Sequence, residues 1–419
     1  MPKFLHAADL HIDSPLRGLD AVADAPAQEL RNATRAALRN LVQLALDEQV
    51  AFVVLAGDVY DTDPLLRTAL FFREQMQRLA QAGIPVVIGL GNHDHAGIAP
   101  RSVKLPDNVQ VLSHERPESI PVVAGVVLHG QSYARFDITE DLTAHYPAPV
   151  PGHVNIGILH TALAGDPEHP KYASTTPQTL AALGYQYWAL GHVHKHARHD
   201  VGGVPIVFPG NLQGRHAKET GPKGAVICHY DATRILSVEH HALDVMRWHH
   251  VEVSVDGASS EEALWQRVRD DVLASTAGDR EDRRLCAVRV TLAGVLPAAL
   301  AAVQESGLRD YLAGEFQAAS GTLWLEKIKI TARCESESRT EVETQLRLLA
   351  RELVESGEAR AQLGALLGEI RTDLRRIDPR LNESNELLGV DAAHVDALSD
   401  SAIETLLERA LALVVHHSR

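Results

Sequence analysis

Five times in the first 200 residues a short apolar run ends in side chains that bind metal ions. Phe4-Leu5-His6-Ala7-Ala8 leads into Asp9-Leu10-His11, and Phe52-Val53-Val54-Leu55-Ala56 into Gly57-Asp58-Val59-Tyr60-Asp61. Val86-Val87-Ile88-Gly89-Leu90 leads into Gly91-Asn92-His93-Asp94, Ile156-Gly157-Ile158-Leu159 into His160, and Tyr187-Trp188-Ala189-Leu190 into Gly191-His192-Val193-His194. Mixed imidazole and oxygen donors suit manganese, iron or zinc and suit calcium or magnesium poorly. A carboxylate such as Asp58 can bridge two ions, and a pair about 3.5–4 Å apart clamps both oxygens of an in-line phosphoryl displacement. A lone Asp-x-His or Gly-Asp arises by chance, and most of the 23 histidines are expected to be structural. Five such pieces in order, each after a strand, are hard to produce by accident.

Those residues need elements that bring them to one place. In an α/β sheet the C-terminal ends of the strands share a rim, where ligand sites form. Side chains two apart on an extended segment face the same way, so Asp9 with His11, and His192 with His194, are each expected to aim at one point. The glycines before Asp58, Asn92 and His192 are expected to turn the backbone off the strand. Up to about residue 240 apolar strands at 3–8, 51–56, 85–90, 154–159 and 187–190 alternate with amphipathic runs at 27–48 and 65–82, which predicts an α/β layered core. Strand-like pieces follow at 205–209, 224–229 and 235–240. The character changes near Val245: strands at 251–255, 286–292 and 323–332 interleave with helical runs at 260–274 and 308–318. From about Arg339 the chain reads as helical, broken at Asp378-Pro379, with an apolar stripe over 399–415. The expected organisation is a catalytic domain over 1–243, a small α/β unit over 244–335 and a helical, partner-binding region over 336–419.

With 419 residues, two or three domains are expected, and 45% hydrophobic and 23% charged residues are those of a soluble globular protein. No leader is read at Met1-Pro2-Lys3 and no apolar stretch has spanning length, so a cytoplasmic protein without membrane contact is expected. Cys228, Cys286 and Cys334 form no CxxC pair and read as reduced, buried thiols. The net charge of -15 runs against nucleic-acid binding, which draws on Lys and Arg. About half of that imbalance lies between Glu335 and Arg419, with 17 acidic against 10 basic side chains. Two bound divalent ions would offset four negative charges where a phosphate must approach, and the balance hints that a partner supplies grip on DNA.

Taken together, the Asp9-x-His11, Gly57-Asp58-x-x-Asp61, Gly91-Asn92-His93-Asp94, His160 and Gly191-His192-x-His194 motifs resemble those of the calcineurin-like metallophosphoesterases. Asp9-Leu10-His11-Ile12-Asp13-Ser14-Pro15, with Gly210-Asn211-Leu212-Gln213-Gly214-Arg215-His216, Glu219 and Gly221-Pro222-Lys223-Gly224, resembles the bacterial YhaO-type DNA repair exonucleases, relatives of SbcD nuclease subunits. The resemblance implies a four-layer α/β fold, a β-sandwich flanked by helices, plus a small capping domain and a helical C-terminal region. It implies one ion between Asp9, His11, Asp58 and His194, and a second between Asp58, Asn92, His160 and His192. His93 would face the scissile phosphate, stabilising the transition state or protonating the leaving oxygen.

SbcD-type nucleases carry His where this chain has Asp61; in the phosphatase branch an Asp there hydrogen-bonds the catalytic His. An Asp61–His93 dyad is therefore expected, against the alternative that Asp61 caps the next helix. Thr62 replaces the Arg that follows in phosphatases, which speaks against a phosphomonoesterase. Arg215 and His216, with Lys223, are candidate substrate-phosphate contacts. The expected activity is metal-dependent DNA phosphodiester hydrolysis, exonuclease or endonuclease, by a hydroxide bridging two ions, most readily Mn2+, with Fe2+ or Zn2+ as alternatives. Expected partners are DNA, an SbcC-like or SMC-like ATPase, and a second copy in a homodimer. The rival readings are a phosphodiesterase of small nucleotides and a DNA-end-binding regulatory subunit of an SMC-like ATPase complex.

Overall fold

The structure, a computed structural model, describes residues 1–15, 27–96, 103–164, 172–297, 300, 305–318 and 322–334, without the side chains of 27–31, 317, 318 and 334. The helical region expected over 336–419 lies outside the described residues. Contacts divide the chain into two compact units. The first takes 1–255, 259–294 and 303–332, and the second 256–258, 295–302 and 333–419.

The first unit is built on two six-stranded mixed sheets. One contains β1 (Lys3–Ala7), β2 (Val53–Ala56), β3 (Val86–Gly89) and β4 (Val109–Val111), all parallel, extended by antiparallel β11 (Gly224–Tyr230) and β12 (Ile235–Ala242). The other runs β5 (Glu118–Val123), β6 (Val126–Gly130), β7 (Val154–His160), β8 (Tyr187–Gly191), β10 (Val204–Phe208), β9 (Ala197–Val201), with β6, β7, β8 and β10 parallel. Parallel strands are covered on both faces and read as unbroken apolar runs, as Val53-Val54-Leu55-Ala56 does. Alternation then divides each strand between two cores. Leu5, Ala7, Val53, Leu55, Val86 and Ile88 pack under helices α1 (Ala27–Asp47) and α2 (Leu66–Gln81). Phe4, Phe52, Val54, Val87, Ile156, Ile158 and Tyr187 fill the space between the sheets. Trp188, Leu159, Leu190 and Phe208 pack on the far face with Leu180 of α3 (Pro177–Ala182). The result is the expected four-layer order of helix, sheet, sheet, helix.

The helices expected at 27–48 and 65–82 fall within a residue of α1 and α2. In the sandwich the strands that escape notice are the edge strands β4, β5 and β9 and the buried β6; β9 is Ala197-Arg198-His199-Asp200-Val201, mostly exposed. Its hairpin turns on Gly202 and Gly203 at φ of 60° and 83°, the left-handed pair that a tight β-turn requires.

Beyond the sandwich, β13 (Met246–Ser254), β14 (Leu285–Ala293) and β16 (Leu323–Ile330) form a parallel sheet. The connections carry α4 (Glu261–Ser275), α5 (Ala277–Glu281) and α6 (Glu305–Ala318), as parallel pairing demands. Ser260 caps α4 by accepting from the Ala263 amide. Trp248, 1% exposed, donates its indole N–H to the Gly214 carbonyl and so ties this sheet to the loop leading to Arg215. In the second unit, β15 (Val295–Leu296) pairs with β17 (Arg333–Cys334).

Candidate metal centre

The parallel strands of both sheets deliver their C-terminal ends to one rim. Asp9 follows β1, Asp58 follows β2, Asn92 and His93 follow β3, His160 ends β7, and His192 and His194 follow β8. The first two loops are laced together by backbone bonds: Asp9, His11 and Ile12 donate to the carbonyls of Gly57, Asp58 and Val59, each at 3.0 Å.

All seven expected ligands converge. His11 Nε2 lies 3.2 Å from His194 Nε2 and 3.9 Å from both Asp9 Oδ1 and Asp58 Oδ2. His194 Nε2 is 3.8 Å from Asp9 Oδ1. On the other side of Asp58, His160 Nε2 stands 3.4 Å from Asp58 Oδ2 and 3.0 Å from Asn92 Oδ1, which is also 3.3 Å from His192 Nδ1. Within each group, Asp9–His11–His194 and Asp9–Asp58–His160, the ligand atoms lie within 4.8 Å of one another.

The donor chemistry fits cations. His11 turns Nδ1 to the Asp61 carboxylate, His194 turns Nδ1 to Glu219 Oε1 at 2.7 Å, and His160 turns Nδ1 to the Ala56 carbonyl at 2.9 Å. Acceptors there place the proton on Nδ1 and leave each Nε2 a lone pair. Those lone pairs face carboxylate and amide oxygens and one another, an arrangement of acceptors that positive charge between them would satisfy. The protonation preferences agree for His11 and His194, whereas at His160 a proton occupies the place of an ion. Burial pulls down the pKa of His11 and of His194, which favours the neutral imidazole at both. Burial also acts against protonating His160, yet the charge of Asp58 prevails and raises it to about 9. Burial works against ionising Asp58, but the His160 ring holds its carboxyl well below the usual range. The Asp58 side of the pocket calls for a cation.

The local geometry departs from expectation in three ways. Asp9, His11 and His192 are not on extended backbone: their φ values are 52°, 42° and 96°, and Asp58 stands at 53°. The i, i+2 alignment expected for Asp9 with His11 and His192 with His194 is therefore replaced by left-handed turns. Such positions cost of order 1–3 kcal/mol each and persist where the surroundings over-determine them. Of the three glycines expected to turn the chain, only Gly57 has positive φ, at 96°. Gly91 and Gly191 serve close approach instead. A Cβ on Gly91 would meet Asp58 Oδ1 at 2.3 Å, and one on Gly191 the Ala56 carbonyl at 1.9 Å.

The third departure concerns the Asp61–His93 dyad. The Asp61 carboxylate turns away from His93 and pairs with His11 Nδ1 and with Arg215 Nη1, the latter at 2.9 Å. His93 Nδ1 faces the Asp61 backbone carbonyl at 3.2 Å, and its amide donates to Asp58 Oδ1 at 2.9 Å. Nor does Asp61 cap α2, whose N-cap is Leu65 without a side-chain bond. Burial opposes ionisation of Asp61, and His11 and Arg215 together hold it well below the usual carboxylate range. Arg215 is engaged through Nη1 with Asp61 and Ser14 and is only 16% exposed. His216, 39% exposed, lies 3.3 Å from Glu219. Lys223 is buried and donates to the His194 carbonyl.

Two residues of the motifs carry roles that sequence reasoning left unassigned. Asp94 accepts from the amides of Gly91 and Val59 at 2.7 Å and of Asp58 at 3.3 Å, and so locks the loops after β2 and β3 together. Burial, then the charge of Asp58, raise its pKa. Glu219 takes His194 Nδ1, the Arg215 amide and Asn211 Nδ2. Both were visible as acidic residues inside the motifs, but their partners are set only by tertiary approach.

A helix–sheet–sheet–helix fold with oxygen and imidazole donors gathered at the strand ends defines a metal-dependent phosphoesterase architecture. Residues 2–196 match the calcineurin-like phosphoesterases, and residues 248–333 match the middle domain of the metallophosphoesterase YhaO. The metallophosphoesterase YhaO of Bacillus subtilis (strain 168) is 33% identical over 314 residues, covering 74% of this chain and 76% of that protein. The DNA double-strand break repair protein Mre11 of Methanopyrus kandleri is 24% identical over 298 residues, 64% of this chain and 62% of that one. The DNA double-strand break repair protein Mre11 of Aeropyrum pernix is 24% identical over 309 residues, 67% of this chain and 71% of that one. The chain belongs to the calcineurin-like metallophosphoesterase family, with a YhaO-type middle domain, a family of phosphoester hydrolases with a dinuclear metal centre. Among the described residues no helix is long and apolar enough to cross a membrane.

Proposed function

We propose that the protein hydrolyses DNA phosphodiester bonds, as an exonuclease or endonuclease of DNA repair, with two divalent ions, Mn2+ before Fe2+ or Zn2+. Asp9, His11, Asp58 and His194 would hold one ion, and Asp58, Asn92, His160 and His192 the other. Bound there, such ions supply an activated water and neutralise charge on the phosphate oxygens. The chain's own residues do the rest. Asp94 holds the Asp58 loop against the Gly91 loop. The Asp61 carbonyl fixes the His93 proton on Nδ1, which leaves Nε2 to meet a substrate oxygen, as an acceptor when neutral and as a donor when protonated.

The observation that carries the reading is the convergence of acceptor atoms around Asp58 with His93 beside them. Aromatic surface favours a nucleic-acid substrate. Phe136, 45% exposed, sets its ring 5.7 Å from those of both His93 and Tyr172, and Tyr172 stands 5.3 Å from His192. Exposed aromatic faces stack on bases at about 1–3 kcal/mol each. The relatives named as break-repair proteins support the same substrate, and with it an SbcC-like or SMC-like ATPase partner and cytoplasmic residence. Leu65, Leu66 and Leu70, exposed at the start of α2, are apolar surface available to a homodimer.

Manganese-loaded full-length protein is expected to degrade duplex or single-stranded DNA, and the Asp58→Ala variant to lose that activity. Turnover of cyclic nucleotides with intact DNA would transfer the reading to small nucleotides. No turnover of either, with DNA ends still bound, would leave a regulatory subunit.

A further inference from the structure

Phe136 is a large apolar ring left partly in solvent beside the histidine that would meet the substrate. It lies in the loop after β6, 45% exposed, with its ring 5.7 Å from that of His93 at an interplanar angle of 88°. The loop is pinned on both sides of it. Tyr133, fully buried, donates its amide to the Leu90 carbonyl at 3.0 Å and its hydroxyl to the His160 carbonyl at 2.7 Å. Ile138, 4% exposed, accepts from the Ala173 amide at 2.8 Å. Tyr172, half-buried, packs behind Phe136 at 5.7 Å and reaches His192 at 5.3 Å. The charge next to the ring is answered within the loop: Arg135 pairs with Asp137 at 3.3 Å and with Glu140 at 3.1 Å, in a chain of net charge -15. A nucleotide arriving here meets a fixed aromatic face, and the neighbouring guanidinium is already engaged with two carboxylates.

Resting on the DNA reading above, we propose that Phe136 selects the nucleotide at the centre by stacking on the base that adjoins the phosphate at His93. Stacking tolerates any base, because every base has a π-face, so the selection is for an accessible base and not for a sequence. Inside a duplex both faces of a base are covered by its neighbours, and drawing it out is costly. The ring therefore takes a base at an end, or one already out of the stack, and the bond cut is one next to an unpaired base.

The test crosses two changes in the manganese-loaded, full-length protein. The substrate is a single-stranded oligonucleotide with methylphosphonates at all but one bond, flanked there by bases or by tetrahydrofuran abasic residues. Phe136→Ala is expected to lower kcat/KM on the base-bearing strand by about five- to 150-fold, the worth of one base–aromatic stack, and on the abasic strand by less than about twofold. Phe136→Trp should restore the base-bearing strand. The loss should be the same at low and high salt, because stacking releases no counterions. Placing the same bond inside a duplex should remove the difference between wild type and Phe136→Ala. If melting shows that Phe136→Ala does not fold, Phe136→Leu, which keeps apolar bulk without a π-face, carries the comparison. Equal losses on the base-bearing and abasic strands would make the ring a support for His93 and overturn the stacking, as would no loss on either. A full loss inside the duplex would overturn the choice of an unpaired base. Each of those outcomes leaves DNA cleavage by the wild type standing; a wild type that cuts no DNA would remove the DNA reading, and this inference with it.

Discussion

His194 and His249 keep similar company and face different tasks. His194 lies with Asp9 and His11, His249 with Asp279 and Cys286, and in both trios the potential ligand atoms fall within 4.8 Å of one another. What surrounds the trios differs. Asp279 is gripped by Arg247 Nη1 at 2.5 Å and Arg284 Nη1 at 3.4 Å, besides His249 Nε2 at 3.0 Å. Asp244 accepts from Arg247 at 2.7 Å and faces Arg284 at 3.5 Å. Two guanidinium groups already answer two carboxylates there, so a divalent cation would enter against like charge. At the strand ends the nearby guanidinium of Arg215 is spent on Asp61, and Asp9 and Asp58 are left facing imidazoles. Proximity of ligand-type residues is thus common to both regions, and of the two the uncompensated charge lies at the strand ends.

The comparison breaks most easily at the histidines. His194→Ala is expected to lower the metal content by one ion and slow hydrolysis by about 10³-fold, about 4 kcal/mol of barrier. His249→Ala should change neither. Metal analysis with turnover numbers checks both, and equal losses in the two variants would erase the distinction. Next in size is Asp279→Ala, which leaves Arg247 with Asp244, and Arg284 with Asp244 and Asp282. It should destabilise the chain by roughly 2–3 kcal/mol, short of the roughly 3–5 kcal/mol of a fully buried broken pair, because Asp244 still answers both. Denaturant melts measure that, and unchanged metal stoichiometry in the same variant marks the network as structural.

Much of this contrast was legible in the sequence. Apolar runs ending in Gly, Asp, Asn and His located the strand ends, and parallel strands buried on both faces kept those runs unbroken, so β1, β2, β3, β7 and β8 were found with their ligands. The edge strand β9 carries polar side chains and left no such mark, and β4 is only three residues long. What could not be read was orientation. The left-handed backbone of Asp9, His11 and Asp58 is imposed by bonding between loops that lie far apart in sequence, and local propensity opposes it. Asp61 is the sharpest case. Its spacing from Asp58 was evident, but whether its carboxylate meets His93 or His11 depends on Arg215, which arrives from the loop after β10. The pairing of Arg215 with Asp61 was invisible for the same reason.

His6 provides a third setting for the same side chain and separates acid effects in the core from those at the centre. It lies between the sheets, with Nδ1 2.9 Å from the Tyr187 hydroxyl and Nε2 3.2 Å from the Leu190 carbonyl. Burial pushes its pKa down to about 3, the Leu190 carbonyl acting against that and His196 adding to it. The unfolded chain, with an ordinary histidine, takes up a proton that the folded chain refuses. Stability from this group is therefore complete above about pH 6.5 and declines as pH falls toward about 3. Between about pH 6.5 and 5 the loss is roughly 2 kcal/mol. His6→Gln keeps polar atoms in place without that proton, so its stability should fall less steeply over the interval. Parallel slopes for the two proteins, from chemical denaturation at each pH, would assign the acid sensitivity elsewhere.

The smallest effect tests the Cys286 corner of the comparison. A metal-binding cysteine must be a thiolate, and thiolates form where cations or an ion lower the pKa. Burial pushes Cys286 up to about 12, Asp279 adds to that, and Arg280, Arg247 and Arg284 only partly offset it. The group stays a thiol, with Sγ 3.7 Å from the Arg284 carbonyl, inside β14 between Leu285 and Ala287. Cys286→Ala should then cost about 1 kcal/mol, the loss of one small buried group. Zinc or manganese uptake should stay unchanged, because the arginines around Asp279 already supply the positive charge that an ion would bring. A fall in metal content on this substitution alone would mean that the guanidinium groups yield to a cation, and that charge compensation does not separate the two regions.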